Sequence, residues 1–154
     1  MVGTARSKRL ELHLELGLAA VRRCAKIIGM TSFEFEGVVT ELYRDGSSAV
    51  VEASGPPVRI DGFTVGAPSM TQNAPHRGEL HPDGDELLFV ISGRIDVILE
   101  DGGDEHTVGA ERIEAVHAGQ AIVVPKGVWH RVEIREPSRM VHITPGPGGG
   151  HRPL

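Results

Sequence analysis

The sequence predicts an all-β domain, a sandwich or barrel, on three observations. Of its 154 residues, Gly 20 and Pro 10 are turn-formers, an abundance that favours many short strands over long helices. From Met30 onward short runs rich in Val, Ile and Leu recur, several of them alternating with polar residues as a strand exposed on one face requires. Between these runs stand Gly, Pro, Asp and Ser, the residues that fit tight turns.

Taken in order, residues 1–30 read as an N-terminal extension. Leu10, Leu14, Leu18, Val21, Ala25 and Ile28 recur every three or four positions among Glu, Arg and Lys, which predicts an amphipathic helix over roughly 7–28, ended by Gly29. A rival strand reading uses the alternation of Leu10, Leu12, Leu14, Leu16 and Leu18; the Ala-rich continuation through LAAVRRCAKII favours the helix. Residues 31–145 hold the β domain. SFEFEGVVTELYR, AVVEA and VRIDGFTVGAPSM come first, then ELLFVIS, RIDVILE, EHTV, RIEAVHA, QAIVVP, WHRVEI and RMVHIT, about ten strands in all. The last segment, 146–154, GPGGGHRPL, lacks apolar periodicity and reads as a flexible tail or an arm laid on a partner.

Composition narrows the function classes. A formal charge of −5 and no clustered Lys/Arg patch argue against a nucleic-acid groove. No apolar run approaches the roughly 20 residues that cross a bilayer, and Glu11, Glu15, Arg22 and Arg23 interrupt any signal-like stretch. One cysteine, Cys24, makes neither an internal disulfide nor a thiolate cage, which fits a soluble cytoplasmic protein.

Two stretches carry chemistry. In GELHPDGDELLFVISG, residues 78–93, Glu79 and His81 are two apart and share a strand face, and Glu86 returns to it after the Pro82-Asp83-Gly84 turn. In GQAIVVPKGVWH, residues 119–130, a turn through Lys126 and Gly127 delivers His130 on a second hairpin. Imidazoles with carboxylates suit a divalent first-row ion, with Fe, Mn, Ni and Zn as the candidates. Burying such a set without a cation would be unfavourable. Asp83 and Asp85 read as turn formers, and His106, His117 and His142 as ordinary, with His142 the one that could face the interior. Trp129 must point away from His130, into the core or a dimer contact. Arg94, Arg131 and Arg139 are either anion contacts at the mouth or solvated charges.

Together the two stretches resemble the paired motifs of the cupin superfamily. Gly119, Pro125, Gly127 and His130 fall on the second motif, and His81, Glu86 and Gly93 on the second His, the Glu and the closing Gly of the first. Glu79 stands where the first motif has its first His, Asn73 where it opens with Gly, and Ile134 where the second often closes with Asn. The resemblance spans roughly residues 33–145. It implies a double-stranded β-helix (jelly-roll) barrel, a metal held by Glu79, His81, Glu86 and His130, and a homodimer. Glu79 is then either the fourth ligand or a catalytic base beside three; His76, at odd spacing from His81, replaces it only through a bulge.

Leu88 and Val90 share parity with Glu86, and Val128 and Val132 with His130, so these four are expected to wall an apolar pocket. The functional expectation is a metal-dependent enzyme (dioxygenase, isomerase or cyclase type) acting on a small oxygenated organic molecule. The alternatives are a cupin that binds a metal or small ligand for sensing or storage, and a metal-free structural barrel.

Overall fold

The computed structural model describes residues 32–53 and 59–154, all of them strand, turn or loop. The expected N-terminal helix, Cys24 included, lies outside these residues. β1 (Val38–Tyr43), β2 (Ser48–Glu52), β3 (Gly62–Gly66), β4 (Ser69–Met70), β5 (Gly78–Leu80) and β6 (Glu86–Ser92) come first. β7 (Arg94–Asp101), β8 (Ala110–His117), β9 (Ala121–Val124), β10 (His130–Ile134), β11 (Ser138–Pro145) and β12 (Gly150–Arg152) complete the chain. No helix long and apolar enough to cross a membrane is present among the described residues.

The strands form two antiparallel sheets packed as a jelly roll. One runs β2-β1-β3-β11-β6-β9, with β4 added alongside β11; the other runs β12-β5-β10-β7-β8. Their facing sides alternate with outward residues as a two-residue period demands. Leu88, Val90, Val124 and Met140 from the first sheet interlock with Ile95, Val97, Leu99, Val116 and Val132 from the second.

Consecutive strands repeatedly change sheets, which corrects the hairpin reading of both motifs. β5 belongs to the second sheet and β6 to the first, so the turn at 81–85 crosses the sandwich; the turn at 125–129 crosses back from β9 to β10. Gly93 alone joins β6 to β7 across the same gap. Its φ is +80°, and a Cβ there would sit 2.4 Å from Pro137 O, so only glycine fits this corner.

Two other expectations fail locally. EHTV, residues 105–108, forms no strand, because Asp104 Oδ1 accepts the backbone N–H groups of His106 (2.8 Å) and Thr107 (2.7 Å) and closes a turn. The segment expected as a flexible tail contains β12, paired with β5 in the register Gly150↔Leu80, His151↔Glu79 and Arg152↔Gly78. Arg152 is buried, with NH1 2.6 Å from Glu100 Oε1, and donates to the carbonyls of Asp104 (2.8 Å) and Thr107 (2.9 Å). Its guanidinium lies 4.3 Å from the centre of the Trp129 ring, so Trp129 is covered by the chain's own C-terminal segment rather than the intersheet core.

Candidate metal centre

Three neighbouring strands bring one row of ligating residues to the inner face of the second sheet. His130 on β10 pairs with Glu79 on β5, and Glu79 pairs with His151 on β12. Directly opposed residues send their side chains to the same face. Glu86 opens β6 from the facing sheet, and His81 leads the turn between them.

That turn and the one before His130 hold each other. Gly127 N donates to His81 O (3.0 Å), and Lys126 N donates to Asp85 Oδ1 (2.8 Å). Asp83 accepts from Gly148 N, which ties the same turn to the C-terminal segment. Both aspartates thus tie this turn to distant segments, where the sequence suggested local turn formers. The two lesser departures from the motif also meet: Asn73 Oδ1 accepts the backbone N–H of Ile134 (2.8 Å), closing β10 with an asparagine supplied from the other motif.

Glu79, His81, Glu86 and His130 each present one donor atom, all within 4.8 Å of one another. His130 Nε2 is 3.0 Å and His81 Nε2 3.4 Å from Glu86 Oε2; His81 Nε2 and His130 Nε2 are both 3.8 Å from a Glu79 oxygen. Two donors bound about 2.1 Å from one ion stand about 3.0 to 4.2 Å apart, so these spacings fit a shared cation. His81 is 2% exposed, and its Nε2 is buried with no hydrogen-bond partner among the described residues. An orphaned nitrogen aimed at two carboxylates is the observation that the fold alone does not explain.

The electrostatics agree. Burial opposes ionisation of Glu86, but hydrogen bonding from His130 and the nearby imidazoles outweigh it and hold the carboxyl well below its usual range. Burial likewise raises Glu79, yet His151, His130 and His81 bring it below the ordinary value. For His130 burial lowers the pKa, and the Glu86 contact more than reverses this, so the ring is more basic than usual. Glu86 is also steadied from behind: Thr144 Oγ1 donates to its Oε1 (2.5 Å), and His142 Nδ1 lies 2.9 Å from the same hydroxyl. His142, its pKa lowered by burial, does face the interior.

Glu79 and Glu86 line a cavity of about 170 Å³. Its other walls include Met70, Leu88, Val132, Met140, His142, Thr144 and Arg59. Of the four residues expected to wall the pocket, Leu88 and Val132 line it; Val90 is fully buried in the core and Val128 packs against that core.

Sequence reasoning missed Arg59. Its NH1 is 2.7 Å from His81 Nδ1, and because a guanidinium only donates, Nδ1 accepts and the neutral ring carries its proton on Nε2. Ligation through Nε2 therefore requires Arg59 to release this contact. The arginines singled out in the sequence lie elsewhere: Arg94 is beside Asp96 (3.4 Å), Arg131 NH1 is 2.6 Å from Glu111, and Arg139 reaches Ala67 O (3.5 Å). His76 precedes β5, so strand parity does not govern it, and its Nε2 reaches within 4.0 Å of Glu79 without a bulge.

A sequence profile of the cupin domain matches residues 70–144, which contain both motifs and all four ligand candidates. The chain carries a cupin domain. No curated protein matches it. Among solved structures this cupin is similar to a cupin-2 domain protein from Shewanella frigidimarina, 21% identical over 60% of this chain and 80% of that one, with a TM-score of 0.43. Peruvianin-I, a cysteine peptidase from Thevetia peruviana latex, is 16% identical over 80% of this chain and 72% of its own, with a TM-score of 0.50. Bacillus subtilis oxalate decarboxylase, which has Mn(II) centres, is 20% identical with a TM-score of 0.47; the match covers 58% of this cupin but only 23% of that enzyme. At these identities the likeness is one of fold.

Proposed function

We propose that this cupin is a metal-dependent enzyme acting on a small oxygenated molecule, with dioxygenase and isomerase or cyclase chemistry as the classes to separate. The observation that carries the reading is the four-donor cluster, with its orphaned His81 nitrogen, beside a cavity of mixed apolar and cationic lining. Glu79 joins His81, Glu86 and His130 as the fourth ligand, because its carboxylate lies as close to His130 as to His81. A divalent ion held there supplies Lewis acidity, or with iron a site for oxygen.

The remaining residues select the substrate. A void of about 170 Å³ is close to the roughly 150 Å³ apolar cavity that accommodates benzene, so one ring or a short-chain diketone or acid fits beside the donor cluster. Met70, Leu88, Val132 and Met140 favour an apolar body. Arg59, once metal loading breaks its contact with His81, is placed to receive a carboxylate or enolate oxygen.

The same reading takes the protein as a cytoplasmic homodimer. The outer face of the first sheet carries exposed Leu42, Phe63, Phe89, Ile91 and Val123, the kind of apolar surface that a second copy covers.

Elemental analysis of wild type, His130→Ala and Glu79→Ala tests the centre. Stoichiometric metal in wild type and loss in both variants is expected; metal retained in Glu79→Ala would make Glu79 the base instead. Wild type without metal would overturn the reading. Oxygen uptake with catechols and small diketones then tests the dioxygenase class, and silence across that panel would move the reading to isomerase or cyclase chemistry or to the binding alternative.

A further inference from the structure

Glu79 has a second set of neighbours. His151 Nε2 lies 3.4 Å from its Oε2 and His76 Nε2 lies 4.0 Å from its Oε1, on rings whose centres are 5.2 Å apart. One donor atom from each of the three residues falls within 4.8 Å of the others, and this set shares only Glu79 with the inner four. His76 is half-buried, and its Nδ1 is buried without a hydrogen-bond partner among the described residues, so the fold leaves the ring's polar groups partly unmet.

We propose that His76, Glu79 and His151 form a second cation site at the mouth of the barrel, with Zn(II) as its preferred ion. The proposal goes beyond the enzyme reading and overlaps it only through Glu79. Two imidazoles and one carboxylate are a donor set that zinc takes when a fourth position stays open for water or substrate. His151 is more exposed than the inner ligands, its side chain at 38%, so the fourth position faces outward. β12 builds this site: pairing with β5 sets His151 directly opposite Glu79.

Charge sets the order of filling. One dication balances Glu79 and Glu86; a second one shares Glu79 with the first and meets the guanidinium of Arg59, whose NH2 is 3.5 Å from His151 Nε2. The outer site is therefore the weaker of the two, and it strengthens when an anion fills the open position.

Zinc titration of the full chain, read by equilibrium dialysis and elemental analysis, tests this. Wild type is expected to take two equivalents, tight then weak. His151→Ala and His76→Gln should each keep only the tight one, and His130→Ala only the weak one; imidazole nitrogen resonances of His76 and His151 should shift with the second equivalent. A single equivalent in wild type, unchanged by His151→Ala and lost in His130→Ala, would overturn the outer site and leave the inner one standing. A single equivalent lost in His151→Ala and kept in His130→Ala would do the reverse. Zinc taken up by neither would remove both. Thermal melts confirm that each variant is folded.

Discussion

The second sheet has a buried charged cluster on each face, and the two are built to opposite rules. On the outer face Arg152 closes on Glu100, Asp104 and Thr107 and lies over Trp129, while Gly109 N adds a further donor to Glu100 at 3.2 Å. Every charge there has a partner. On the inner face two carboxylates face two imidazoles, one ring nitrogen has no hydrogen bond, and a borrowed guanidinium sits against the same ring. A closed cluster fixes the chain, whereas an open one waits for a ligand. β12 serves both, since His151 enters the inner face and Arg152 the outer.

The largest expected effect comes from breaking the closed cluster. Arg152→Ala leaves the buried Glu100 carboxylate with only Gly109 N (3.2 Å) and, at 4.0 Å, Arg131 NH1 for partners. Removing one partner of a buried ion pair destabilises by about 3 to 5 kcal/mol in comparable sites, and these residual contacts put the expectation at the lower end, about 3 kcal/mol. Chemical denaturation measures it. A loss below about 1 kcal/mol would show that the outer cluster is solvated and that the contrast is false. The same variant releases β12, so the weak zinc equivalent should vanish with it.

Next in size is the support behind the open cluster. Thr144→Val keeps the shape of the side chain but removes the hydrogen bond to Glu86 Oε1. Outer-shell partners of this kind change metal affinity by roughly 10- to 100-fold. Competition titration against a chromophoric chelator reads the change directly. Unaltered affinity would mean that Glu86 is held by the ion and the histidines alone. A smaller, opposite effect is expected from Arg59→Gln: removing the competing cation should tighten metal binding several-fold while raising KM for an anionic substrate.

What was legible in the sequence was local. Gly93, Gly119, Pro125 and Gly127 mark turns whose geometry depends on the residue itself, and Gly93 admits no side chain. The spacing of His81, Glu86 and His130 around those turns was therefore readable. Trp129, Arg59 and His151 were not, because each takes its role from a neighbour far along the chain: the Arg152 guanidinium, the His81 ring and the β12–β5 register. A Gly/Pro-rich composition hid β12, since three residues suffice for a strand when a buried ion pair anchors its end. The sheet changes were hidden for a related reason. A hairpin and a cross-sandwich turn use the same turn residues, and only packing tells them apart.

The smallest effect, and the one that best separates the open cluster from the closed one, is pH dependence. His130 is raised by Glu86, so its contribution to metal-free stability is full below about pH 6.5 and is lost as pH climbs through the raised value. Glu86 is depressed, so its contribution holds above about 4.5 and is lost only in strong acid. His76 and His142 act with the opposite sign to His130: burial lowers both, and the stability they carry falls away as pH drops below about 6.5. The metal-free curve thus mixes both signs and is shallow near neutrality. Metal loading is different, because an ion must displace the proton that Glu86 favours on His130, and acidification weakens it. The gain in Tm on adding metal should therefore grow steadily from pH 5.5 to 8, whatever the metal-free curve does, because the groups that do not ligate cancel in the difference. A gain independent of pH over that range would show that no imidazole proton is displaced, and the inner cluster would then be as closed as the outer one.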